Sequence, residues 1–201
     1  MKNSNFFLLA VTAATVVSCG THPSSYTING TVSDTSLNGN KVYLTDMASR
    51  NVLDSALIAD GKFTFTGKAD TALICRIQSR PYRMELVLEN GDIAVEMGET
   101  TKCSGTPLNE SFALFVSDMD SLRNVMIAKQ QEMMQKGLSE EELREAWQDF
   151  QTNTVMPEFN RVMSENFDRN KDNAVGAWVI ADWGLEPVQF DSVLNLAGET
   201  L

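Results

Sequence analysis

The sequence predicts a mainly β fold, an antiparallel β-sandwich of about seven strands followed by an α-helical region. Short segments that alternate apolar and polar residues fill positions 26–105, and turn residues separate them at intervals of about 8–12 residues. From residue 106 onward, apolar residues recur at spacings of three and four, which is the period of an amphipathic helix. No strand–helix–strand alternation precedes that change, so antiparallel pairing is favoured over a parallel sheet.

Seven segments are predicted as strands, and a short eighth segment at 102–105 closes the set. The dipeptides Asp60-Gly61 and Asn90-Gly91 each stand between two alternating runs. They predict tight hairpins, because such turns need positive φ angles, which glycine adopts at little cost. The seven predicted strands are 26–32, 41–46, 52–59, 62–66, 71–78, 85–89 and 92–97.

The helical region is predicted to begin at Thr106-Pro107, with the threonine as cap and the proline in the first helical position. This first helix should end at Gly137. Ser139 and Glu142 have the spacing of a capping box, which predicts the start of a second helix. Pro157 should kink or interrupt that helix, since proline lacks the backbone N–H. Further helical segments are expected at 159–167, at 174–182 and from residue 187.

The first 18 residues are predicted to be a lipoprotein signal peptide. Lys2 precedes an uncharged apolar run at 6–17, which is shorter than the about 20 residues a membrane-spanning helix needs. The run leads to Val16-Val17-Ser18-Cys19, which resembles the bacterial lipobox, in which the cysteine thiol accepts a diacylglycerol. The alternative is an ordinary signal peptide with a chance cysteine.

Acylated Cys19 would attach the chain to a lipid bilayer in the bacterial cell envelope, and we expect it to face the periplasm. Residues 19–25 are small and polar with one proline, which is typical of a tether. The net charge of −11 argues against nucleic acid as a partner, because phosphates require basic contacts. The predicted organisation is a signal peptide at 1–18, a tether at 19–25, a sandwich at 26–105 and a helical region at 106–201.

The two remaining cysteines leave two readings open. Cys75 lies between Leu73 and Ile77 on one face of a predicted strand, where a buried, unreactive thiol is the default. In an oxidising envelope, Cys75 and Cys103 could instead form a disulfide. The sequence contains no C-x-x-C motif, so the chain as given lacks the dithiol of a thioredoxin-like centre.

No motif in the sequence predicts a catalytic residue, a metal site or a cofactor. His22 is the only histidine, which excludes a histidine-based triad. Residues 168–173 begin like a calcium loop, but Asn173 replaces the required glycine, and a capped turn between helices fits better. Four methionines have the helical spacing of core or interface residues rather than of a soft-metal site; they are Met119, Met126, Met133 and Met134.

Several segments together resemble a known family. The strand region contains YTINGTVSD, GNKVYLTD, VLDSALIADGKFTFTGKAD and RMELVLENGDIAVEM, and GTPLNESFALF and DNAVGAWVIAD follow it. This sequence is similar to the domain of unknown function 4369, the N-terminal module of many Bacteroidota envelope lipoproteins. The resemblance covers residues 26–120, and the rest of the helical part more loosely.

In that family the module usually precedes a thioredoxin-like domain of the thiol–disulfide interchange or peroxiredoxin type. The resemblance therefore implies a non-catalytic module of a membrane-tethered envelope thiol–disulfide oxidoreductase, which positions the redox domain or binds its protein substrate. The thioredoxin-like domain and its cysteines are absent from these 201 residues, so no catalytic residue is carried over. The alternative is a stand-alone envelope lipoprotein that acts as a binding or structural module. An enzyme in its own right is the least supported reading, since no nucleophile–base set is visible.

Overall fold

The computed structural model describes residues 23–197, so the predicted signal peptide, Cys19 and His22 lie outside the described residues. Within them, eight strands form two four-stranded sheets, and helices follow. The predicted fold class is confirmed. The strands are β1 (Tyr26–Val32), β2 (Lys41–Asp46), β3 (Val52–Leu57), β4 (Lys62–Gly67), β5 (Leu73–Ser79), β6 (Tyr82–Leu88), β7 (Gly91–Met97) and β8 (Lys102–Ser104).

The two sheets share one apolar core. The first sheet has the order β4-β1-β7-β8 and the second the order β3-β2-β5-β6. Alternate residues of the strands point inward, so that Ile28 and Phe65 of the first sheet join Leu44 and Ile77 of the second in one buried cluster. This alternation is the period-two pattern from which the strands were predicted.

One strand pair contradicts the prediction of antiparallel pairing throughout. β1 and β7 run parallel, in register from Tyr26↔Gly91 to Val32↔Met97. A parallel pair requires a long crossover between its strands, and in most sheets a helix provides it. Here the crossover consists of β2 to β6, which pass through the second sheet twice, with β4 of the first sheet between the two passages. The absence of a helix between the strands therefore did not exclude a parallel pair.

Both predicted hairpins are wrong as strand pairs. At Asp60-Gly61 the tight turn does form, and Ala59 and Lys62 exchange two backbone hydrogen bonds of 2.9 Å. However, β3 and β4 belong to different sheets, so this turn carries the chain from one sheet to the other. Asn90-Gly91 likewise connects β6 of one sheet to β7 of the other. The consecutive strands that do pair as antiparallel hairpins are β2 with β3, and β5 with β6.

The helices follow the predicted order: α1 (Pro107–Gln135), α2 (Glu140–Phe150), a π turn (Gln151–Val155), α3 (Met156–Asn170), α4 (Ala174–Asp182) and α5 (Pro187–Leu194). Gly137 lies just beyond the end of α1 with a φ of 63°, and the capping box of Ser139 and Glu142 starts α2 as predicted. A π-helical turn directly before Pro157 separates α2 from α3, which confirms the predicted interruption.

The helices cover part of the outer face of the second sheet. Ile74 of β5 and Val87 of β6 point away from the sandwich core and join a second buried cluster with Phe112, Phe167 and Val179. β5 and β6 are therefore packed on both faces, whereas β2 has its buried residues on the inner face alone and β3 contributes only the half-buried Ala56. Among the described residues, no helix is both long and apolar enough to cross a bilayer.

Candidate functional site: an apolar groove between two helices

An open, mainly apolar cavity lies where the end of α1 meets α2. We call it the tip groove, and its volume is about 350 Å³. One charged side chain, Arg123, lines it, and Arg123 is ion-paired with Asp120. The lining residues are Arg123, Met126, Ile127, Gln130, Met133 and Met134 of α1, and Leu143 and Trp147 of α2.

The tip groove exists because α1 is longer than the surface beneath it. Its 29 residues span about 43 Å, at about 1.5 Å per residue. Phe112 and Phe115, near the start of α1, are buried against the sheet and the other helices, and Leu122, near its middle, is also buried. Beyond Leu122, the one buried residue of α1 is Met133, and Met134 is 74% exposed. The predicted methionine stripe therefore begins in the core and ends as an open apolar surface.

The second wall of the groove is held by aromatic contacts. The ring of Trp147 lies 5.7 Å from that of Phe150, and the Lys129 ammonium lies 5.7 Å above the Phe150 ring. Lys129 also pairs with Glu132. These contacts order the α2 side of the groove while its floor stays apolar. Such a groove can bind apolar side chains, and methionine lets it adapt to different shapes.

A buried asparagine ties α1 to the sandwich. The Asn109 amide donates to the backbone oxygen of Val87 at 2.7 Å and to the Thr106 hydroxyl at 2.8 Å. Its oxygen accepts from the Val87 N–H at 2.8 Å and from the Cys103 thiol at 3.2 Å. Asn109 thus pairs with β6 as a neighbouring strand would, and it fixes the direction in which α1 leaves the sheet.

The cap of α1 differs from the prediction. Thr106 does occupy the cap position, but its hydroxyl accepts from Asn109 and caps no backbone N–H. The Glu89 carboxylate, at the end of β6, accepts from the Leu108 N–H at 2.8 Å instead. A carboxylate at this position also complements the positive end of the helix dipole. Sequence inspection missed Glu89 because it lies 19 residues before the helix that it caps.

Two further buried asparagines join α1 to α3. Asn166 donates to the carboxylate of Asp118 at 2.9 Å, and Asn170 accepts from the hydroxyl of Ser111 at 2.7 Å. Asn173 then caps α4 by accepting from the Val175 N–H at 2.9 Å, which confirms the predicted capped turn at 168–173. This network fixes the base of α1, from which the tip groove extends.

The two described cysteines lie in different sheets and are free thiols in the structure. Cys75 is buried in β5, as predicted, and burial together with the charge of Asp46 raises its pKa to about 12. Burial likewise raises the pKa of Cys103 to about 12, and the nearby Glu89 charge adds to the effect. Both thiols are therefore protonated at neutral pH, a state in which a cysteine is a poor nucleophile.

The titratable side chains of the described residues do not form a metal-binding cluster. Across residues 23–197, no group of three or more histidine, cysteine, aspartate or glutamate side chains is placed to hold a metal ion. Most carboxylates with a lowered pKa accept hydrogen bonds from neighbours in their own turn or helix. Glu142, for example, has its pKa lowered by the Ser139 hydroxyl and backbone within the capping box.

Comparison with known families identifies the strand region. The model of the family described as Domain of unknown function (DUF4369) matches residues 26–112. The chain contains a DUF4369 domain. No curated protein matches the chain. The DUF4369 match covers all eight strands and extends into α1 as far as Phe112.

The end of the DUF4369 match coincides with the attachment of α1. The segment GTPLNESF at 105–112 contains Thr106, Asn109 and Ser111, which bond α1 to β6 and α3. Gly105 has a φ of 105°, and an added Cβ would lie 2.4 Å from the Asp92 oxygen. GTPLNESF, one of the segments that carry the family resemblance, is therefore the joint between the sandwich and its first helix.

Proposed function

We propose that this chain is the non-catalytic N-terminal module of a membrane-tethered, cell-envelope thiol–disulfide oxidoreductase, and that it holds the polypeptide substrate for the redox domain. The tip groove carries the proposal. It is an open apolar cavity with a volume of about 350 Å³, lined mainly by three methionines, a tryptophan and two aliphatic side chains. Exposed apolar surfaces of this kind mark sites where proteins bind other molecules.

The tip groove suits an unfolded polypeptide better than a small charged ligand. Arg123 is the one charged residue in its lining, and Asp120 already neutralises it. An unfolded or partly folded chain exposes apolar side chains that gain from burial in the groove. Methionines can repack around side chains of different shape, which suits a site that meets many sequences.

The redox role is supported by the DUF4369 domain, because the family resemblance implies a thioredoxin-like partner domain. Cys75 and Cys103 have pKa values raised to about 12, so thiol–disulfide exchange would fall to that other domain. The tether rests on the predicted lipidation of Cys19. Mass spectrometry of the native protein from membranes should find a diacylglyceryl group on Cys19, and an unmodified Cys19 would remove the anchor from the proposal.

A stand-alone envelope lipoprotein that binds a partner is the second candidate, and the tip groove favours it equally. The two candidates differ in whether a thioredoxin-like domain acts with this module. Sequencing the gene beyond codon 201 separates them, because a thioredoxin-like coding segment in the same reading frame supports the first and a stop codon supports the second.

The binding test uses reduced and carboxymethylated lactalbumin, a permanently unfolded polypeptide, with affinity measured by fluorescence anisotropy. Met134→Glu and Ile127→Glu place a charge in the apolar lining. Since burying one such side chain contributes about 1.5–3 kcal/mol, each substitution should weaken binding about tenfold or more.

Val125→Glu is the matched control, because Val125 is exposed on the same helix but does not line the groove. It makes the same change of charge and should leave the affinity within about twofold. Equal weakening by all three substitutions would indicate a general charge effect and would contradict a role for the groove. Native, folded lactalbumin should bind much more weakly than the unfolded form.

A further inference from the structure

β3 differs from the other edge strands of the two sheets because it exposes large apolar side chains. The edge of β6 is covered by α1 and by the Asn109 amide, and α1 also packs on β8. The edge strand β4 exposes Lys62, Thr64 and Thr66, whose polar side chains suit contact with water. In β3, by contrast, Val52 is 59% exposed and Leu57 is 61% exposed. Open apolar edges are rare because they invite pairing with another chain.

The backbone of β3 is oriented to accept another strand. Ile58 donates its N–H to the oxygen of Asn40 at 3.0 Å, toward the β2 side. Because alternate residues of an antiparallel strand bond to opposite sides, Ser55 and Leu57 direct their N–H and C=O groups away from β2. The Ser55 N–H agrees with this direction, since it donates to the Asp54 carboxylate at 2.7 Å.

The surface beside β3 is positively charged, although the chain carries a net charge of −11. Lys41 and Arg80 line an open cleft of about 690 Å³ together with Tyr43 and Val52, and no carboxylate lines it. Within residues 23–197, neither cation forms an ion pair. Lys41, on β2, is the cross-strand neighbour of Leu57, and it lines the cleft together with Val52 of β3.

We propose that β3 is a docking strand for an extended segment of a partner polypeptide. The segment adds a fifth strand to the β3-β2-β5-β6 sheet through backbone hydrogen bonds to Ser55 and Leu57. Its apolar side chains lie on Val52 and Leu57, and a carboxylate faces Lys41. This surface is separate from the tip groove, and the inference goes beyond the proposed function.

A partner segment fits this edge better than a second copy of the chain. β3 has six residues and is about 20 Å long, so two copies paired there would bury one narrow strip. Stable dimers usually bury at least about 1,200 Å². Pairing would also bring together two molecules that each carry a net charge of −11. A short segment that carries a carboxylate meets neither obstacle, because Lys41 offers it a complementary charge.

Asp54 controls access to the edge. Its carboxylate accepts the hydrogen bond from the Ser55 N–H. A backbone oxygen of the incoming strand must replace that carboxylate as the acceptor. Removing that carboxylate should therefore strengthen binding. Because loss of the Asp54 charge would also favour a peptide that carries a carboxylate, tighter binding supports strand addition only together with the loss of binding in Ser55→Pro.

The test uses the full-length protein and an array of acetylated octapeptides that alternate valine or isoleucine with threonine. One arm of the array carries an internal glutamate and an amidated C-terminus, and the other carries a free C-terminal carboxylate. Bound peptide should slow hydrogen exchange in residues 52–57 at least fivefold. The arm that binds more tightly identifies the source of the carboxylate that Lys41 recognises.

Three variants check the geometry. Ser55→Pro should abolish binding, and β3 should still pair with β2 because the Ser55 N–H faces outward. Lys41→Glu should weaken binding about tenfold, and Asp54→Ala should tighten it several-fold. Met134→Glu, in the tip groove, should leave peptide binding unchanged, which separates this proposal from the proposed function. Should Ser55→Pro fail to fold by circular dichroism, Leu57→Pro makes the same test, because the Leu57 N–H also faces away from β2.

Three results would overturn the inference. The first is that no octapeptide slows exchange at residues 52–57 at millimolar concentration. The second is that the folded edge variant, Ser55→Pro or its replacement, binds peptide as tightly as the natural protein. The third is that exchange at β3 slows without peptide as the protein concentration rises, which would assign the edge to a second copy.

Discussion

At the scale of single residues, buried amide side chains decide how the helices attach to the sandwich. Asn109, Asn166 and Asn170 are buried, and each bonds to at least two partners. No buried side-chain nitrogen or oxygen in the described residues lacks a hydrogen-bond partner. Because a buried polar group without a partner is costly, these amides fix one arrangement of the helices and disfavour others.

Asn109→Ala should destabilise the protein by about 2–5 kcal/mol, because it leaves the N–H and C=O of Val87 unpaired in a buried site. Urea denaturation followed by circular dichroism measures the change. Asn124→Ala is the control, since Asn124 is exposed on the same helix, and it should change the free energy of unfolding by less than about 0.5 kcal/mol. Equal effects of the two substitutions would show that Asn109 does not hold the joint.

At the scale of secondary-structure elements, the sequence predicts where strands lie better than which strands pair. The bounds of β1 and β2 match the predicted segments 26–32 and 41–46, because the period-two alternation is a local property of the sequence. Asn90-Gly91 was predicted to close a hairpin, yet it joins two sheets. Turn residues specify a local reversal of the chain and do not specify the neighbour of each strand.

The candidate site was predictable only in part. The methionine stripe on α1 follows from its spacing, but whether it is core or surface depends on where the sheet beneath α1 ends. Met133 is buried and Met134 is open on the same turn. Asn109 bonds to Val87, 22 residues earlier, and no local pattern connects the two positions. The open edge of β3 likewise depends on the order of strands in the sheet.

The cap of α1 gives a prediction for this element. Glu89→Ala should cost about 1 kcal/mol, because the Leu108 N–H loses its acceptor and the helix dipole loses a compensating charge. Glu89→Gln keeps an acceptor and should cost less than Glu89→Ala. Urea denaturation measures both. Glu99→Ala, at an exposed acidic residue in a loop, should have almost no effect, and a similar loss there would point to net charge instead of capping.

At the scale of the whole molecule, the sandwich and the helices share buried residues and should unfold together. Ile74 and Val87 are strand residues that pack against the helical cluster. The helical layer therefore cannot separate without exposing an apolar face of the sheet. The aromatic residues make this testable, because Trp147, Trp178 and Trp183 all lie at or beyond α2, whereas the three tyrosines all lie in strands.

Thermal unfolding should show one transition, with the tryptophan fluorescence midpoint equal to the midpoint from far-ultraviolet circular dichroism. Val87→Ala should lower both midpoints by the same amount, since it leaves a cavity between the sheet and the helices that costs about 1–3 kcal/mol. A fluorescence transition well below the circular dichroism transition would instead show that the helices melt from an intact sandwich.

The position of β1 has a mechanical consequence. This first strand lies inside its sheet, with β4 on one side and β7 on the other, and is bonded to both along most of its length. Tension applied to the chain ahead of Tyr26 pulls β1 along its own axis, so the bonds to both neighbours are loaded in shear and must break together. Attachment at this end would therefore let the domain withstand a drag force that would peel an edge strand away one bond at a time.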